Sequence, residues 1–186
     1  MIIRNVKVYT EDKRFVDGEI AIQDGRIESV GPSADLVTGD DTILDGEGCY
    51  AIPGLIDLHF HGCKGYDFCD GTKEAIAKIA EYEASVGVTA ISPATMTLPV
   101  NELEEILAVA ADYRKERQEA GQNEAADLVG VNMEGPFISE AKKGAQDERN
   151  IISCDADICQ RFLDASEGLV KFVGIAPERN ENAPEF

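Results

Sequence analysis

The chain has 186 residues, 44% of them hydrophobic, with 36 acidic against 17 basic side chains and a net charge of -19. That balance disfavours nucleic acid and anionic membranes as partners, and no stretch reaches the roughly 18 apolar residues of a membrane span. The start, Met1-Ile2-Ile3-Arg4-Asn5-Val6, lacks the apolar run of a secretory signal, so a cytoplasmic location is expected.

In chain order, the pattern predicts strands over 2–9, 19–23 and 26–30, with a hairpin turn at Asp24-Gly25 and a stop at Gly31-Pro32. A polar loop leads to a short strand at 42–45, and Gly46 and Gly48 punctuate the chain after it. Residues 1–50 therefore read as a small β domain of β-sandwich type. Beyond residue 50 strands alternate with helices, the signature of βα units and a parallel sheet. A strand through Ile56 comes first, then a helix capped by Thr72 with Ile76, Ile79 and Ala80 on one face and Gly87 as its stop. Strand 88–92 is next, then a helix with Pro99 in its first turn and a buried stripe at Leu103, Ile106, Leu107 and Ala110. Strand 128–133, helix 155–165 and strand 169–176 complete the order. The fold class expected is α/β, with residues 51–186 forming the first four strands of a TIM-like hydrolase barrel, whose full length is about 250 residues.

The chain has two histidines, both in Pro53-Gly54-Leu55-Ile56-Asp57-Leu58-His59-Phe60-His61-Gly62. Side chains two apart in a strand share a face, so His59 and His61 can reach one ion while Phe60 points away. Neutral imidazole is the commonest protein metal ligand. An accidental polar pair near a loop is the plain alternative, but the apolar run before it reads as a buried strand delivering ligands to a crevice. The pattern Pro-Gly-x-Ile-Asp-x-His-x-His resembles the first barrel strand of the amidohydrolase superfamily. Glu134, ending the third strand in Asn132-Met133-Glu134-Gly135-Pro136-Phe137, faces the same end, where barrel active sites lie. It could instead cap the next turn or pair with a lysine, although Gly135 and Pro136 hold its direction. The five cysteines form no Cys-x-x-Cys pair, which argues against a disulfide scaffold or a zinc ribbon; Cys63, two residues past His61, is a weak further ligand candidate.

Asn132 to Phe137, with Lys142-Lys143-Gly144-Ala145-Gln146 after it, is similar to the Glu-Gly-Pro and Lys-x-Gly-Ala-His/Gln signatures of the N-acetylglucosamine-6-phosphate deacetylase family. Gly87-Val88-Thr89 and Ala176-Pro177-Glu178 match it in the same order. The resemblance implies metal-dependent release of acetate from N-acetylglucosamine 6-phosphate, leaving glucosamine 6-phosphate. It implies Glu134 as principal ligand and His59 and His61 as ligands of a second divalent ion, whether zinc, iron, manganese or cobalt. Ala145 and Gln146 fall where the family contacts the amino sugar. The family's general acid/base is an Asp of a late barrel strand, expected beyond residue 186, so no catalytic residue is assigned within this chain. A homodimer is implied for the complete protein, and this portion alone is expected to be inactive. A dihydroorotase-like cyclic amidase is a second reading, disfavoured because Glu134 stands where such enzymes carry a modified lysine. A non-catalytic metal-binding or association fragment is the third.

Overall fold

A computed structural model describes residues 1–32, 42–121, 124–180, 183 and 186, and its contacts divide the chain into two units, Met1–Pro53 and Gly54–Phe186. The loop expected between residues 33 and 41 lies outside the described residues.

In the first unit β1 (Ile2–Tyr9), β2 (Phe15–Gln23) and β3 (Arg26–Gly31) form an antiparallel meander, while β4 (Ile43–Asp45) and β5 (Tyr50–Ala51) pair with β1 in parallel. The turn between β2 and β3 works as expected, with Asp24 and Gly25 both at positive φ, 51° and 73°, as a right-twisting two-residue hairpin requires. β2 begins earlier than its apolar pattern suggested, because Phe15 and Val16 pair with Tyr9 and Val8. Ile2, Val6, Val8, Ile20 and Ala21 are buried. Among the described residues this unit is one five-stranded sheet rather than the two layers of a sandwich, since the returning chain adds strands to β1 instead of starting a second sheet.

The second unit runs β6 (Leu55–Asp57), β7 (Gly62–Cys63), β8 (Tyr66–Asp67), α1 (Lys73–Ser85), β9 (Val88–Ile91), α2 (Val100–Ala120), β10 (Asp127–Leu128), β11 (Val131–Met133), α3 (Ala156–Ala165) and β12 (Val170–Val173). Local chemistry sets the helix ends. Thr72 Oγ1 accepts from Ala75 N at 3.1 Å and Asp155 Oδ1 accepts from Ile158 N at 3.0 Å, each satisfying an otherwise orphaned donor. Pro99 stands just before α2 rather than inside it, and α2 ends at Gly121, whose φ of 61° is the left-handed stop.

All the principal pairings here are parallel. β6 pairs with β9 and β9 with β10, while β11 pairs with β12. The third strand expected at 128–133 is thus split in two. Val129 N still donates to Ile91 O at 3.0 Å, but two residues on Val131 N donates to Leu169 O at 2.7 Å, so the chain changes partner at Gly130. Among the described residues one isolated bridge, between Ala94 and Asn132, ties the two sheets together.

The helices cover one face, where Ile76, Ile79, Leu103, Leu107 and Phe162 pack with Ile91, Val131, Met133 and Leu169. The expectation that the first strand is buried fails: Leu55 is 52% exposed, Ile56 60% and Leu58 49%. β6 is an edge, paired on one side only among the described residues. The fold is α/β, and no closed barrel forms among the described residues.

Candidate metal centre

Ladder pairing of β6 ends at Asp57, yet the chain stays extended, because Ser92 N donates to Asp57 O at 2.8 Å and Ala94 N donates to Phe60 O at 2.7 Å. Asp57 Oδ1 also accepts from His59 N at 3.0 Å, which fixes the bend there. The histidines therefore lie just past the strand rather than in it. Phe60 packs with the helix-side core, as the alternation requires, and the two imidazoles stand together with ring centroids 5.5 Å apart at 85°. Glu134 lies immediately past β11, and the bridge at Asn132 brings it beside them.

The ligand atoms of His59, His61 and Glu134 all lie within 4.8 Å of one another. Glu134 Oε2 is 3.2 Å from His59 Nε2 and 3.1 Å from His61 Nε2, yet it is buried with no hydrogen bond in proper geometry. His61 Nδ1 is 3.2 Å from the carbonyl of Ala94, which can only accept. A neutral His61 therefore carries its hydrogen on Nδ1 and aims a bare Nε2 lone pair at the carboxylate oxygen. Two electron-rich atoms at that distance, one of them screened from solvent without a hydrogen bond, would be brought into balance by a cation. Two imidazole nitrogens and a carboxylate oxygen suit a divalent transition ion.

Thr97 supports the Glu134 backbone, its Oγ1 donating to the Glu134 carbonyl oxygen at 3.2 Å. Gly135 sits at φ +97°, and a Cβ there would overlap Thr97 Oγ1, so the turn after Glu134 requires glycine for both reasons. Gln146, expected at the sugar, is only 3% exposed. Its Oε1 accepts from Thr97 N at 2.5 Å and its Nε2 faces Met96 Sδ at 3.7 Å, so both ends of the carboxamide are committed to protein. Ala145 is exposed beside it. Lys143 Nζ donates to Gln146 O at 3.0 Å, closing the same loop, whereas Lys142 is exposed. Cys63 does not join the cluster. Its thiol faces Glu83, and burial together with that carboxylate pushes its pKa up; burial and nearby Asp57 likewise raise Glu83.

Thr97 and Asn132 were missed as contributors. Asn132 carried a usable signal, since it stands two residues before Glu134 and so shares its face of the strand.

A parallel α/β sheet thus sets a His-x-His pair beyond its first strand and a glutamate beyond its third. No protein-family model matches the chain. Curated relatives do: they include N-acetylglucosamine-6-phosphate deacetylases and an N-acetylgalactosamine-6-phosphate deacetylase of Escherichia coli O157:H7, 28% identical over 96% of this chain and 44% of its own length. The Bacillus subtilis (strain 168) enzyme is 26% identical over 98% of this chain and 46% of its own length. The Bos taurus enzyme is 34% identical over 74% of this chain and 34% of its own. Among solved structures, the Mycobacterium smegmatis enzyme superposes with a TM-score of 0.78 at 26% identity, covering 98% of this chain and 49% of that one. A variant of it in complex with N-acetyl-D-glucosamine-6-phosphate gives 0.79 at 25% identity, covering 98% and 45%. The chain is thus related to these deacetylases and spans about half the length, or less, of the relatives it matches.

Proposed function

We propose that this chain carries the metal-binding half of an enzyme that hydrolyses N-acetylglucosamine 6-phosphate to glucosamine 6-phosphate and acetate. The observation that carries the reading is the orphaned Glu134 Oε2 facing two imidazole nitrogens, in a chain related to deacetylases over nearly all its length. In this reading β6, β9, the split third strand and β12, with their helices, are the first half of a hydrolase barrel over 51–186, after a small β domain over 1–50. One or two divalent ions, zinc, iron, manganese or cobalt, are held by His59, His61 and Glu134. A bound ion supplies a water of lowered pKa and polarises the amide carbonyl. Thr97, anchored by Gln146, keeps the Glu134 carboxylate aimed. Ala145 is retained as the contact to the amino sugar, while Gln146 takes a supporting role behind it. The general acid/base is assigned to an Asp outside this chain, so the chain alone binds the ion without turnover. The complete enzyme is read as a cytoplasmic homodimer. No helix among the described residues is long and apolar enough to cross a membrane.

The test pairs two measurements. Zinc binding is followed on this chain by competition with a chromophoric chelator, and acetate release from N-acetylglucosamine 6-phosphate on the protein as its source makes it. Glu134→Gln is expected to weaken zinc at least about 100-fold, the loss of one ligand outweighing the 10–100-fold typical of outer-shell changes, and to abolish acetate release. Normal metal content with full activity in that variant would sink the assignment. Zinc binding by this chain with no acetate release from the natural protein would leave the metal-binding module as the function.

A further inference from the structure

The two histidines reach Glu134 at nearly equal distances, yet their other ring nitrogens meet opposite partners. His61 Nδ1 faces the Ala94 carbonyl, whereas His59 Nδ1 lies 3.2 Å from Asn132 Nδ2. That same Nδ2 is 3.2 Å from the Leu58 carbonyl. A carbonyl only accepts, so the corner of the carboxamide lying between Leu58 and His59 has to be its nitrogen. One of its hydrogens goes to Leu58 O, and the other to His59 Nδ1, which therefore accepts. A neutral ring whose Nδ1 accepts carries its hydrogen on Nε2. His59 thus carries its hydrogen on Nε2, 3.2 Å from Glu134 Oε2 but outside hydrogen-bond geometry, where His61 presents a lone pair.

We propose that Asn132 is a positioning residue that holds His59 in the Nε2–H tautomer, making His61 and Glu134 the first ligands to an incoming ion and His59 a conditional one. The inference deepens, and rests on, the metal-site reading above. For His59 Nε2 to ligate, the ring has to move its hydrogen to Nδ1, and Asn132 then has to offer its oxygen there. That rotation gives up the hydrogen bond to Leu58 and sets two carbonyl oxygens face to face, so the backbone at Leu58 opposes it. Asn132 is itself held rigidly. Its N donates to Pro93 O and its O accepts from Thr95 N, each at 2.9 Å, so the side chain cannot answer by shifting the strand.

With only two histidines in the chain, long-range proton–nitrogen spectra read both rings directly. In the metal-free chain near pH 8, one ring is expected as Nε2–H and the other as Nδ1–H, with His59→Gln removing the first pattern. Asn132→Asp is nearly isosteric and offers an acceptor. It should convert His59 to the Nδ1–H form and tighten zinc by about 10-fold, the lower end of outer-shell effects. The added charge acts on zinc affinity and on ring protonation alike, so the deciding readout is the nitrogen pattern of the neutral Asn132→Ser variant. Asn132→Ser, which removes the amide donor, should leave His59 averaging between forms; backbone amide spectra verify that each variant is folded. A wild-type His59 already in the Nδ1–H form, or a His59 pattern unmoved in Asn132→Ser, overturns the role of Asn132. Zinc affinity unmoved by Glu134→Gln overturns the metal-site reading instead, and the tautomer result then stands alone.

Discussion

Replacing Gln146 by leucine separates a supporting side chain from a substrate contact. In the structure Gln146 Oε1 is the acceptor for Thr97 N, and Gln146 is almost wholly buried. Leucine has nearly the same volume and no acceptor, so packing changes little while a buried N–H loses its partner. Such a loss costs about 1–3 kcal/mol, since water cannot replace the missing acceptor. Taking about 2 kcal/mol and a urea m-value of about 2 kcal/mol/M, the unfolding midpoint should fall by about 1 M. Thermal unfolding should fall by about 4–8 °C at this chain size. Loosening Thr97 also releases the hydroxyl that steadies the Glu134 backbone, so zinc affinity should weaken with stability. Urea unfolding followed by circular dichroism on wild type and Gln146→Leu is the assay. A midpoint change equivalent to less than about 0.5 kcal/mol, within the range of ordinary surface substitutions, would refute the reasoning. Combined with a raised KM in the natural protein, it would return Gln146 to the amino-sugar contact that its motif implied.

Gly135→Ala places a Cβ against Thr97 Oγ1 at a left-handed φ, and should cost more than about 1 kcal/mol in stability together with most of the zinc affinity; unchanged zinc titration would mean the turn does not aim Glu134. Thr72→Ala removes the acceptor for Ala75 N and should cost about 1 kcal/mol by urea unfolding, with zinc binding untouched. The hydrogen bonds from Arg149 hold Asp147 down to about 2 from an ordinary 3.8. Because the folded value is the lower one, this contribution is fully present above pH 3.8 and is lost as pH falls through about 2. Arg149→Ala should therefore flatten the fall of the urea midpoint across that window, and an unchanged slope would show the pair contributes nothing there.

Features decided by neighbours in the chain were legible in the sequence. The Thr72 cap and the Asp24-Gly25 turn depend on residues within a few positions, and the His59/His61 alternation depends only on an extended backbone. What the sequence hid was decided by partners far along the chain. The break of the third strand at Gly130 arises because Leu128 serves β9 while Val131 serves β12, and an apolar run reads the same with one partner or two. Leu55 and Ile56 look like core residues because hydrophobicity announces a wish for burial, whereas actual burial needs a strand or helix on their side. Gln146 was read from its motif as a sugar contact, but which way the carboxamide turns depends on Thr97, distant in sequence. Asn132 was the one omission that local reasoning could have avoided, as a polar residue between buried Val131 and Met133 with Glu134 next on its own face.

The isolated bridge between Ala94 and Asn132 carries a mechanical consequence. The histidines belong to the segment leaving one sheet and Glu134 to the segment leaving the other, so an ion shared among them acts as a staple across that joint. Occupancy then becomes a component of folding stability, rising as RT ln(1 + [M]/Kd), or about 2.7 kcal/mol when free metal stands at 100 times Kd. Stripping the ion would loosen the joint before it disturbed either sheet, and amide exchange at Ala94, Thr95 and Asn132 should be the earliest to quicken.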